Sequence, residues 1–466
     1  MEHRLEKTSY MKTLSMIMVL AWPTMLEQLM QTAVQYIDIA MIGSLGTAAT
    51  AAVGATTTIN WLVGSSISAL GIGFLAFVSR ACGAGDWNRA RETVAQSVFV
   101  CLVVGILFTA LTVGLSPVVP KLMQVDEGIS DMAGRYFMIL YLPMLPRTAG
   151  IIFGTVLRAA GDTKTPMKVG VYVNIINVVL NFLLIYETRV IPGTDIVLYG
   201  AGWGVEGAAA ASAIAYTVGG VLITRALWKH PEISPKGYSI SPRWKLLKPC
   251  LKVAVPNMFQ RFGTSLGYVI FAAMINSLGD VSTAAHTIAN TVESAFYIPA
   301  YGMQTAAATL AGNALGAGDE KKMRSFTRMI IIVEVCMMLV TGGLLFAFAP
   351  AMVSVFSKSA EVILLGSVVL RMVAVSEPFY GVSIIIEGIL QGLGNTVIPF
   401  IFGIVGMWAV RIVGTFICIK FLSMGLVAAW ACMILHNMLL FTAYTVYYRK
   451  GSWNPLDSKK RVEIQR

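Results

Sequence analysis

Residues 22–46 read WPTMLEQLMQTAVQYIDIAMIGSLG, a stretch apolar enough to cross a membrane that nevertheless carries four regularly spaced polar residues. Glu27, Gln31, Gln35 and Asp38 lie four, four and three residues apart. On a helix of about 3.6 residues per turn they share one stripe. An ionised carboxylate at mid-membrane costs about 2.5 to 3.5 kcal/mol even on the insertion scale, so the stripe should not face lipid. We therefore expect a functional site centred on Asp38, whereas for Glu27 plain interhelical hydrogen bonding is an equal alternative.

The composition is that of a membrane protein. Of 466 residues, 56% are hydrophobic and only 13% are charged, with a mean hydropathy of +0.72. Crossing the hydrocarbon core takes about 20 apolar residues, and the chain offers about twelve such windows. They lie at 13–42, 47–78, 90–115, 130–158, 166–187, 204–227, 246–277, 282–312, 322–349, 362–391, 397–420 and 424–448. No short alternating segments typical of a membrane β-barrel are visible, so we predict an all-α membrane protein.

The net charge of +11 is concentrated in alternate connections between these segments. Basic residues follow the second, fourth, sixth and eighth windows, and both termini are basic. The positive-inside rule then predicts a multi-pass protein of the plasma membrane with both termini in the cytoplasm. Because topology accounts for the positive charge, we expect no nucleic-acid partner.

The chain contains an internal repeat. The tetrapeptide GAGD at 83–86 returns at 316–319, so the two copies are related by a sequence offset of 233. The same offset relates Pro23 to Pro256, 44–46 to 277–279, and 161–166 to 394–399. Each half holds about six segments, and an even number makes the repeats parallel. We predict an N-terminal six-helix lobe at 1–228, a cytoplasmic linker at 229–245, a C-terminal six-helix lobe at 246–450 and a cytoplasmic tail at 451–466, with the GAGD turns in a structural role.

Several of these motifs together resemble the multidrug and toxic compound extrusion (MATE) family of secondary transporters. They are WP...LEQLMQT...IDIAMIGSLG, RACGAGD, LRAAGDTKTPM and VESAFYIPAYGMQTAAATLAGNALGAGD. The resemblance covers essentially the whole chain. It implies two six-helix lobes and the export of organic, often cationic, compounds driven by an inward H⁺ or Na⁺ gradient. It also implies that Asp38 is the coupling carboxylate.

Some acids of the family pattern are missing. Where many relatives have an Asn followed four residues later by an Asp, this chain has Asn177 and Asn181, and Gln260 and Asn395 replace two further acids. The internal repeat shows the same asymmetry, pairing Glu27 with Gln260, Asp162 with Asn395 and Asp38 with Phe271. Ion coupling is therefore predicted in the N-terminal half.

The predicted coupling site combines a carboxylate, amides and a hydroxyl. Asn177 and Asn181 share a helix face and, with Asp38, Ser212 and Glu27, are expected to surround a proton-carrying carboxylate or a Na⁺ ion. The alternative is interhelical hydrogen bonding, worth about 0.6 kcal/mol per bond. A lone carboxylate is a workable proton site but a weak Na⁺ cage, so H⁺ is slightly favoured, with Na⁺ at Asp38, Asn177 and Asn181 the alternative. We expect no resident cofactor, and the six cysteines show no CxxC spacing typical of a metal site or disulfide frame.

A substrate cavity is predicted from polar and aromatic residues within the apolar windows. Its candidates are Gln31, Gln35, Tyr36, Asn174, Glu293, Tyr297 and Glu377. Carboxylates and aromatic faces both attract organic cations. For the acids of the second half, the more favoured interpretation is a Glu–Arg clamp with Arg261 or Arg411, because buried opposite charges usually pair.

These observations predict a secondary active antiporter, and not an enzyme, that exports organic cations or drugs. Its partners would be membrane lipid, a small organic substrate and H⁺ or Na⁺, and it would act as a monomer. A flippase for a lipid-linked sugar is the alternative, and it would need a basic cavity formed by Arg147, Arg261 and Arg411. A channel or purely structural protein fits the one-sided acid stripe less well. An ATP-driven pump is disfavoured because no P-loop is present.

Overall fold

The computed structural model describes residues 2–122, 127–190 and 197–457 of the chain. The first half folds into eight helices and one hairpin. These are α1 (Glu2–Gly43), α2 (Thr47–Gly83), α3 (Trp87–Leu115), α4 (Val119–Leu122), α5 (Glu127–Tyr141), α6 (Met144–Ala159), α7 (Lys164–Ile185), β1 (Glu187–Val190), β2 (Val197–Ala201) and α8 (Gly204–Lys229). The strands pair antiparallel, with Glu187 opposite Ala201. This hairpin was not predicted.

The second half is helical throughout its described residues. It comprises α9 (Trp244–Asn276), α10 (Asp280–Ala317), α11 (Glu320–Phe356), α12 (Ala360–Gly392), α13 (Val397–Val405), a π-helix (Gly406–Ile412), α14 (Val413–Lys420) and α15 (Leu426–Arg449). The last residues of the predicted tail, 458–466, lie outside the described part of the chain. A π-helix has a wider turn than an α-helix and so carries an extra residue within the segment that runs from α13 to α14.

Each of the twelve predicted segments coincides with a helix, or with a run of consecutive helices. Within the described residues, nine helices are long and apolar enough to cross a membrane, counting 397–420 as one. The pair α5 and α6 makes ten if its 51° bend lies within one span. Helices α9 and α10 have 33 and 38 residues but are more polar. The predicted class, an all-α membrane protein with two repeated six-helix halves, is confirmed.

The turns show the repeat directly in the backbone. Three pairs of glycines related by the repeat offset adopt positive φ angles, a conformation that side chains with a Cβ disfavour. The pairs are Gly46 and Gly279 (110° and 97°), Gly85 and Gly318 (70° and 67°), and Gly161 and Gly394 (91° and 80°). In the second GAGD turn, Asp319 caps α11 by accepting a hydrogen bond of 2.8 Å from the Lys322 backbone. The structural role predicted for this turn is therefore observed.

Two compact units are defined by internal packing. Unit 1 comprises Met1–Gln28, Leu75–Asp86 and Pro249–Arg466, and unit 2 comprises Leu29–Phe74 and Trp87–Lys248. The predicted lobes follow the sequence repeat, whereas packing places the start of α1 and the end of α2 with the second half. The predicted linker lies inside unit 2, where Arg91 Nε donates to the Glu232 carbonyl at 2.8 Å and Gln96 Oε1 accepts from the Arg243 backbone at 2.8 Å.

Small residues hold the helices of unit 1 close together. A Cβ added at Gly392 on α12 would lie 1.9 Å from the Ala308 carbonyl oxygen of α10, and one at Gly388 would lie 2.6 Å from the Gln304 carbonyl oxygen. Small residues allow backbones of membrane helices to approach closely and to gain van der Waals contact. This approach fixes α10 against α12, two helices that both carry buried acids.

Unit 2 uses the same device around α8. A Cβ at Gly207 would lie 2.4 Å from the Leu184 carbonyl oxygen of α7, and one at Gly220 would lie 2.2 Å from the Pro146 carbonyl oxygen of α6. Helix α8 is thereby held against both neighbours. As a result, the polar face of α7 has a fixed partner surface on α8.

Candidate functional site

A chain of side-chain hydrogen bonds joins α1, α7 and α8 in unit 2. Asn177 Nδ2 donates to Ser212 Oγ at 3.0 Å, and Asn181 Nδ2 donates to Asn177 Oδ1 at 3.2 Å and to Asp38 Oδ1 at 2.6 Å. The structure thus brings together four residues predicted for the coupling site. Because Asn177 and Asn181 are one helical turn apart on α7, they present their amides in line.

This series of hydrogen bonds ends at the carboxylate of Asp38. Asp38 is half-buried, whereas Asn174, Asn177 and Asn181 are all buried. Asn181 Oδ1 is buried and accepts no hydrogen bond from the described residues, and Asn174 Nδ2 donates none. A charge-assisted hydrogen bond as short as that between Asn181 and Asp38 is among the stronger ones in proteins. The carboxylate and the amide oxygen of Asn181 form a place where a proton or a hard cation can bind.

The same end of α1 is tied to α7 a second time. Ser44 Oγ lies 2.9 Å from Tyr186 Oη, which in turn donates to the Met41 carbonyl at 3.5 Å. Tyr136 on α5 is buried and interacts electrostatically with Asp38. The sequence offered no signal for Tyr136, because α5 shows no polar repeat that would single it out.

The predicted polar stripe of α1 is divided between different surroundings. Glu27 is buried and lies in the part of α1 that packs with unit 1, whereas Asp38 lies in unit 2. Gln31, Gln35 and Tyr36 have exposed side chains. Glu27 therefore does not take part in the hydrogen bonds around Asp38. The two acids of the stripe are more buried than its two glutamines.

An arginine in unit 2 has its own amide and aromatic partners. Arg147 donates to Asn60 Oδ1 at 2.7 Å, and Tyr141 Oη donates to the same oxygen at 3.1 Å. The guanidinium carbon lies 4.7 Å from the ring centre of Tyr216 and 5.5 Å from that of Tyr141. The amide oxygen of Asn60 and the two aromatic faces thus stabilise the positive charge of Arg147 within an apolar segment.

Unit 1 gathers acids and tyrosines between α10 and α12. Glu293 and Glu377 are buried, and Tyr297 interacts electrostatically with both. The Tyr297 ring meets Tyr301 and Tyr380 edge to face, with centroids 5.9 and 6.0 Å apart, and the Tyr301 and Tyr380 hydroxyls are 3.3 Å apart. Three predicted cavity residues thus lie near one another, and Tyr301 and Tyr380 extend the group. We call these five residues the acid–tyrosine cluster.

Two further acids of unit 1 differ in how they are satisfied. Glu387 accepts hydrogen bonds from Gln260 at 3.1 Å and Gln391 at 3.0 Å. Glu334 is fully buried, and neither of its carboxylate oxygens has a hydrogen-bond partner among the described residues. Glu334 Oε1 would lie 2.9 Å from a Cβ at Gly381, so this glycine makes room for the acid.

The predicted Glu–Arg clamp does not form as a direct ion pair within the described residues, although Arg261 lies within electrostatic range of Glu387 and Arg411 within that of Glu293. Arg261 Nε donates to Asn257 Oδ1 at 3.0 Å. The Arg411 guanidinium carbon lies 4.1 Å from the ring centre of Phe271 and 4.7 Å from that of Tyr268. No ion pair joins either arginine to a carboxylate within the residues described. The direct contacts of the two cations are to Phe271, Tyr268 and Asn257, which all lie on α9.

The basic cavity that a flippase would need does not form within either unit. Arg147 belongs to unit 2 and binds Asn60, whereas Arg261 and Arg411 belong to unit 1 and have the contacts given above. Each of the three guanidinium groups has its own neighbours. Nothing within the described residues of either unit thus favours the flippase interpretation.

The match to a known protein family follows the internal repeat of the sequence. The sequence profile of the MatE family matches residues 23–183 and 256–417. The starts of the two matched stretches differ by the repeat offset, and the second stretch is one residue longer. The π-helix lies inside the second stretch, as expected if it accommodates the additional residue.

Curated relatives and solved structures agree with this match. The chain is 28% identical over 435 residues to "Probable multidrug resistance protein NorM" of Thermotoga maritima, covering 93% of this chain and 92% of that protein. It is 25% identical to "Probable multidrug resistance protein YpnP" of Bacillus subtilis, with 95% and 96% covered. A crystal structure of "MATE in the bent conformation" superimposes with a TM-score of 0.87 at 20% identity, covering 97% of both chains. The resemblance drawn from the sequence motifs is confirmed.

Proposed function

This chain belongs to the MatE family of membrane transporters, and we propose that it is an antiporter that exports organic, often cationic, compounds in exchange for inward-moving H⁺ or Na⁺. The family assignment makes it a multi-pass membrane transporter and not an enzyme. Relatives that carry the name multidrug resistance protein support compound export. We further propose a monomer in the plasma membrane with both termini in the cytoplasm, as the distribution of basic residues indicates.

The observation that carries the coupling proposal is the 2.6 Å hydrogen bond from Asn181 to Asp38. When Asp38 is ionised, this bond is charge-assisted and holds α1 against α7. Protonation removes the charge and weakens the bond, so the two helices are held together less tightly. If loading Asp38 and binding substrate favour different arrangements of the helices, each must lower the affinity for the other by the same factor.

A proton is the favoured coupling ion. A proton needs only one carboxylate oxygen, whereas Na⁺ prefers several oxygen ligands. Beside Asp38, the buried Asn181 Oδ1 is the additional oxygen that accepts no hydrogen bond in the described part of the chain. Na⁺ at Asp38, Asn177 and Asn181 remains the alternative.

We propose that the acid–tyrosine cluster of unit 1 binds the organic cation. Glu293 and Glu377 supply buried carboxyl groups that can ionise opposite a bound cation, and Tyr297, Tyr301 and Tyr380 supply π-faces and hydroxyl groups. Aromatic rings around a cation stabilise it through the ring quadrupole, by about 2 kcal/mol or more where water is excluded. Gln31, Gln35, Tyr36 and Asn174 stay candidates for contacts to the rest of the substrate.

Transport in proteoliposomes tests this proposal. Uptake of a fluorescent organic cation is measured with a pH gradient and a Na⁺ gradient imposed separately. H⁺ coupling predicts accumulation driven by the pH gradient alone. Asp38→Asn is expected to lower gradient-driven transport at least 100-fold, about 2.7 kcal/mol, because it removes the carboxylate that would carry the proton.

Asp162→Asn is the matched control. Asp162 Oδ1 accepts a hydrogen bond of 3.0 Å from the Thr165 backbone at the start of α7, and Asn395 occupies the equivalent turn of the second half. An asparagine there still caps the helix, so transport should stay within twofold of wild type. Undiminished gradient-driven export by the Asp38→Asn protein would refute the coupling role.

A further inference from the structure

Four buried or half-buried side chains of unit 1 carry nitrogen atoms that have no hydrogen-bond partner. Within the described residues these atoms are Arg411 Nε, both ring nitrogens of His436, Nδ1 of His286 and Nε1 of Trp430. Arg411 is 2% exposed, His436 5% and Trp430 0%. Most buried polar groups in proteins are satisfied, so several unsatisfied ones in one place need an explanation.

These side chains form a continuous group on three elements. Arg411 stacks on Phe271 at 4.1 Å, and the Phe271 ring lies 5.7 Å from the His286 ring, which lies 5.9 Å from that of Trp430. His286 and His436 both interact electrostatically with Arg411. Helix α10, the π-helix and α15 therefore converge on the guanidinium group.

The donor set favours a negative ligand. The guanidinium is always charged and only donates, the indole N–H only donates, and each neutral imidazole donates one N–H. Phe271 and Tyr268 cover the π-face of the guanidinium, but its N–H groups lie in the plane and need an acceptor. A buried charge without a partner is strongly unfavourable. Because no carboxylate forms an ion pair with Arg411 in the described chain, its acceptor is not supplied by the contacts observed.

The π-helix positions Arg411 and the residue that contacts His436. Arg411 and Gly406 both lie in the π-helix Gly406–Ile412. At Gly406 a Cβ would stand 2.5 Å from the His436 ring, so glycine is what allows that ring to pack directly on the helix. Single π-turns occur often at functional sites. The irregularity and the glycine together place His436 on the same side as the charge.

We propose that Arg411, His286, His436 and Trp430 form a binding site for a small monovalent anion, either free chloride or the carboxylate group of a transported compound. Because Arg411 and Trp430 are almost completely buried, the ligand of this site is expected to be small. Glu293 is within electrostatic reach of Arg411 but lies in the acid–tyrosine cluster and forms no ion pair with Arg411 within the described residues. The anion site does not depend on the proposed coupling role of Asp38.

Thermal unfolding of the purified full-length protein in detergent tests the site. The apparent Tm is measured against increasing sodium chloride or sodium acetate, with sodium isethionate, a larger anion without a carboxylate, holding the ionic strength constant. Both the wild type and the Arg261→Gln control, whose arginine has an amide partner, should show a saturable rise. Arg411→Gln should show none. A rise with chloride alone identifies a free halide, and a rise with acetate alone identifies a substrate carboxylate.

Fluorescence gives a second measurement that does not depend on stability. Iodide, which quenches indole, should quench wild-type fluorescence saturably through Trp430, and chloride should compete with it if the ligand is a halide. Trp430→Phe should remove that saturable component. Arg411→Lys keeps a charge but loses the planar fork, so it should weaken anion binding at least threefold and serves if Arg411→Gln does not fold.

Three results would overturn the proposal. One is a wild-type Tm that follows isethionate as well as it follows chloride and acetate. Another is anion responses that persist in both Arg411 variants. The third is a wild-type Tm that does not depend on either anion, combined with an equal decrease of Tm in Glu293→Gln and Arg411→Gln. That result would make Glu293 the partner of the guanidinium group.

Discussion

The two halves of the chain place opposite chemistry at equivalent positions. In the first half, Asp38 on α1 faces Asn181 on α7. In the second, the offset of 233 pairs Asp38 with Phe271, whose ring centre lies 4.1 Å from the Arg411 guanidinium carbon. Arg411 and Thr415 each lie one residue beyond the positions that this offset pairs with Asn177 and Asn181. One half therefore has an acid met by amides, and the other has a cation met by aromatic rings.

This difference shows that the repeat preserves backbone geometry more strictly than charge. The glycine turns have closely similar φ angles in the two halves, as the 70° of Gly85 and the 67° of Gly318 show. The hydrogen bonds of the first half form a continuous chain from Ser212 to Asp38. The second half leaves donors around Arg411 without acceptors in the described residues. The shared framework thus supports proton or cation binding on one side and, as proposed, anion binding on the other.

Among the substitutions that test this difference between the halves, we expect the largest effect at Asn181, whose amide donates to Asp38. Asn181→Ala removes the 2.6 Å hydrogen bond to the carboxylate. Hydrogen bonds to charged groups contribute about 1.5 to 3 kcal/mol, so we expect an approximately 30-fold loss of gradient-driven transport in proteoliposomes, about 2 kcal/mol.

Thr415→Val is the matched control in the second half. Thr415 is fully buried, and its hydroxyl interacts with the thiol of Cys432, which lies outside the proposed sites. Valine has the same shape, so transport should change by less than twofold. Equal losses in the two variants would show that the asymmetry between the halves has no functional meaning.

Much of the fold follows from the sequence because membrane helices have a simple physical signature. Each apolar window coincides with a helix or a run of helices, and the offset of 233 places the glycine turns. The bend between α5 and α6 could not be placed by hydropathy, although Pro143 and Pro146 flank the start of α6 and prolines commonly break helices. The β1–β2 hairpin was missed although its strands contain Thr188, Val190, Val197 and Tyr199, residue types that are common in strands.

The candidate sites were predictable only in part. The i and i+4 spacing placed Asn177 and Asn181 on one face, and the family resemblance singled out Asp38. Tyr136 and the stacking of Arg411 could not be predicted, because periodicity does not specify which side chains meet across helices. The direct ion pairs expected for a Glu–Arg clamp do not form in the described residues, because the rule that opposite charges pair ignores aromatic faces, and α9 offers those faces to Arg411.

The shared backbone predicts matched effects at the equivalent glycine turns. Gly161→Ala and Gly394→Ala place a Cβ on backbones with φ of 91° and 80°. Each should destabilise its half by about 1 kcal/mol, because L-residues disfavour this conformation. Thermal unfolding in detergent should give shifts of similar size for both. A shift in only one variant would mean that the turns differ in more than their side chains.

The smallest effect is expected at the far end of the amide chain, at Ser212. Ser212→Ala removes the acceptor of the 3.0 Å hydrogen bond from Asn177 but leaves the bond between Asn181 and Asp38 in place. Interhelical hydrogen bonds in membranes contribute about 0.6 kcal/mol on average, which corresponds to about a threefold loss of transport. The loss should appear in the rate at low proton gradient, since Ser212 acts only by orienting the two amides. If Ser212→Ala instead matched Asn181→Ala, Ser212 would belong to the ion-binding group itself, and the site would extend from α1 across α7 to α8.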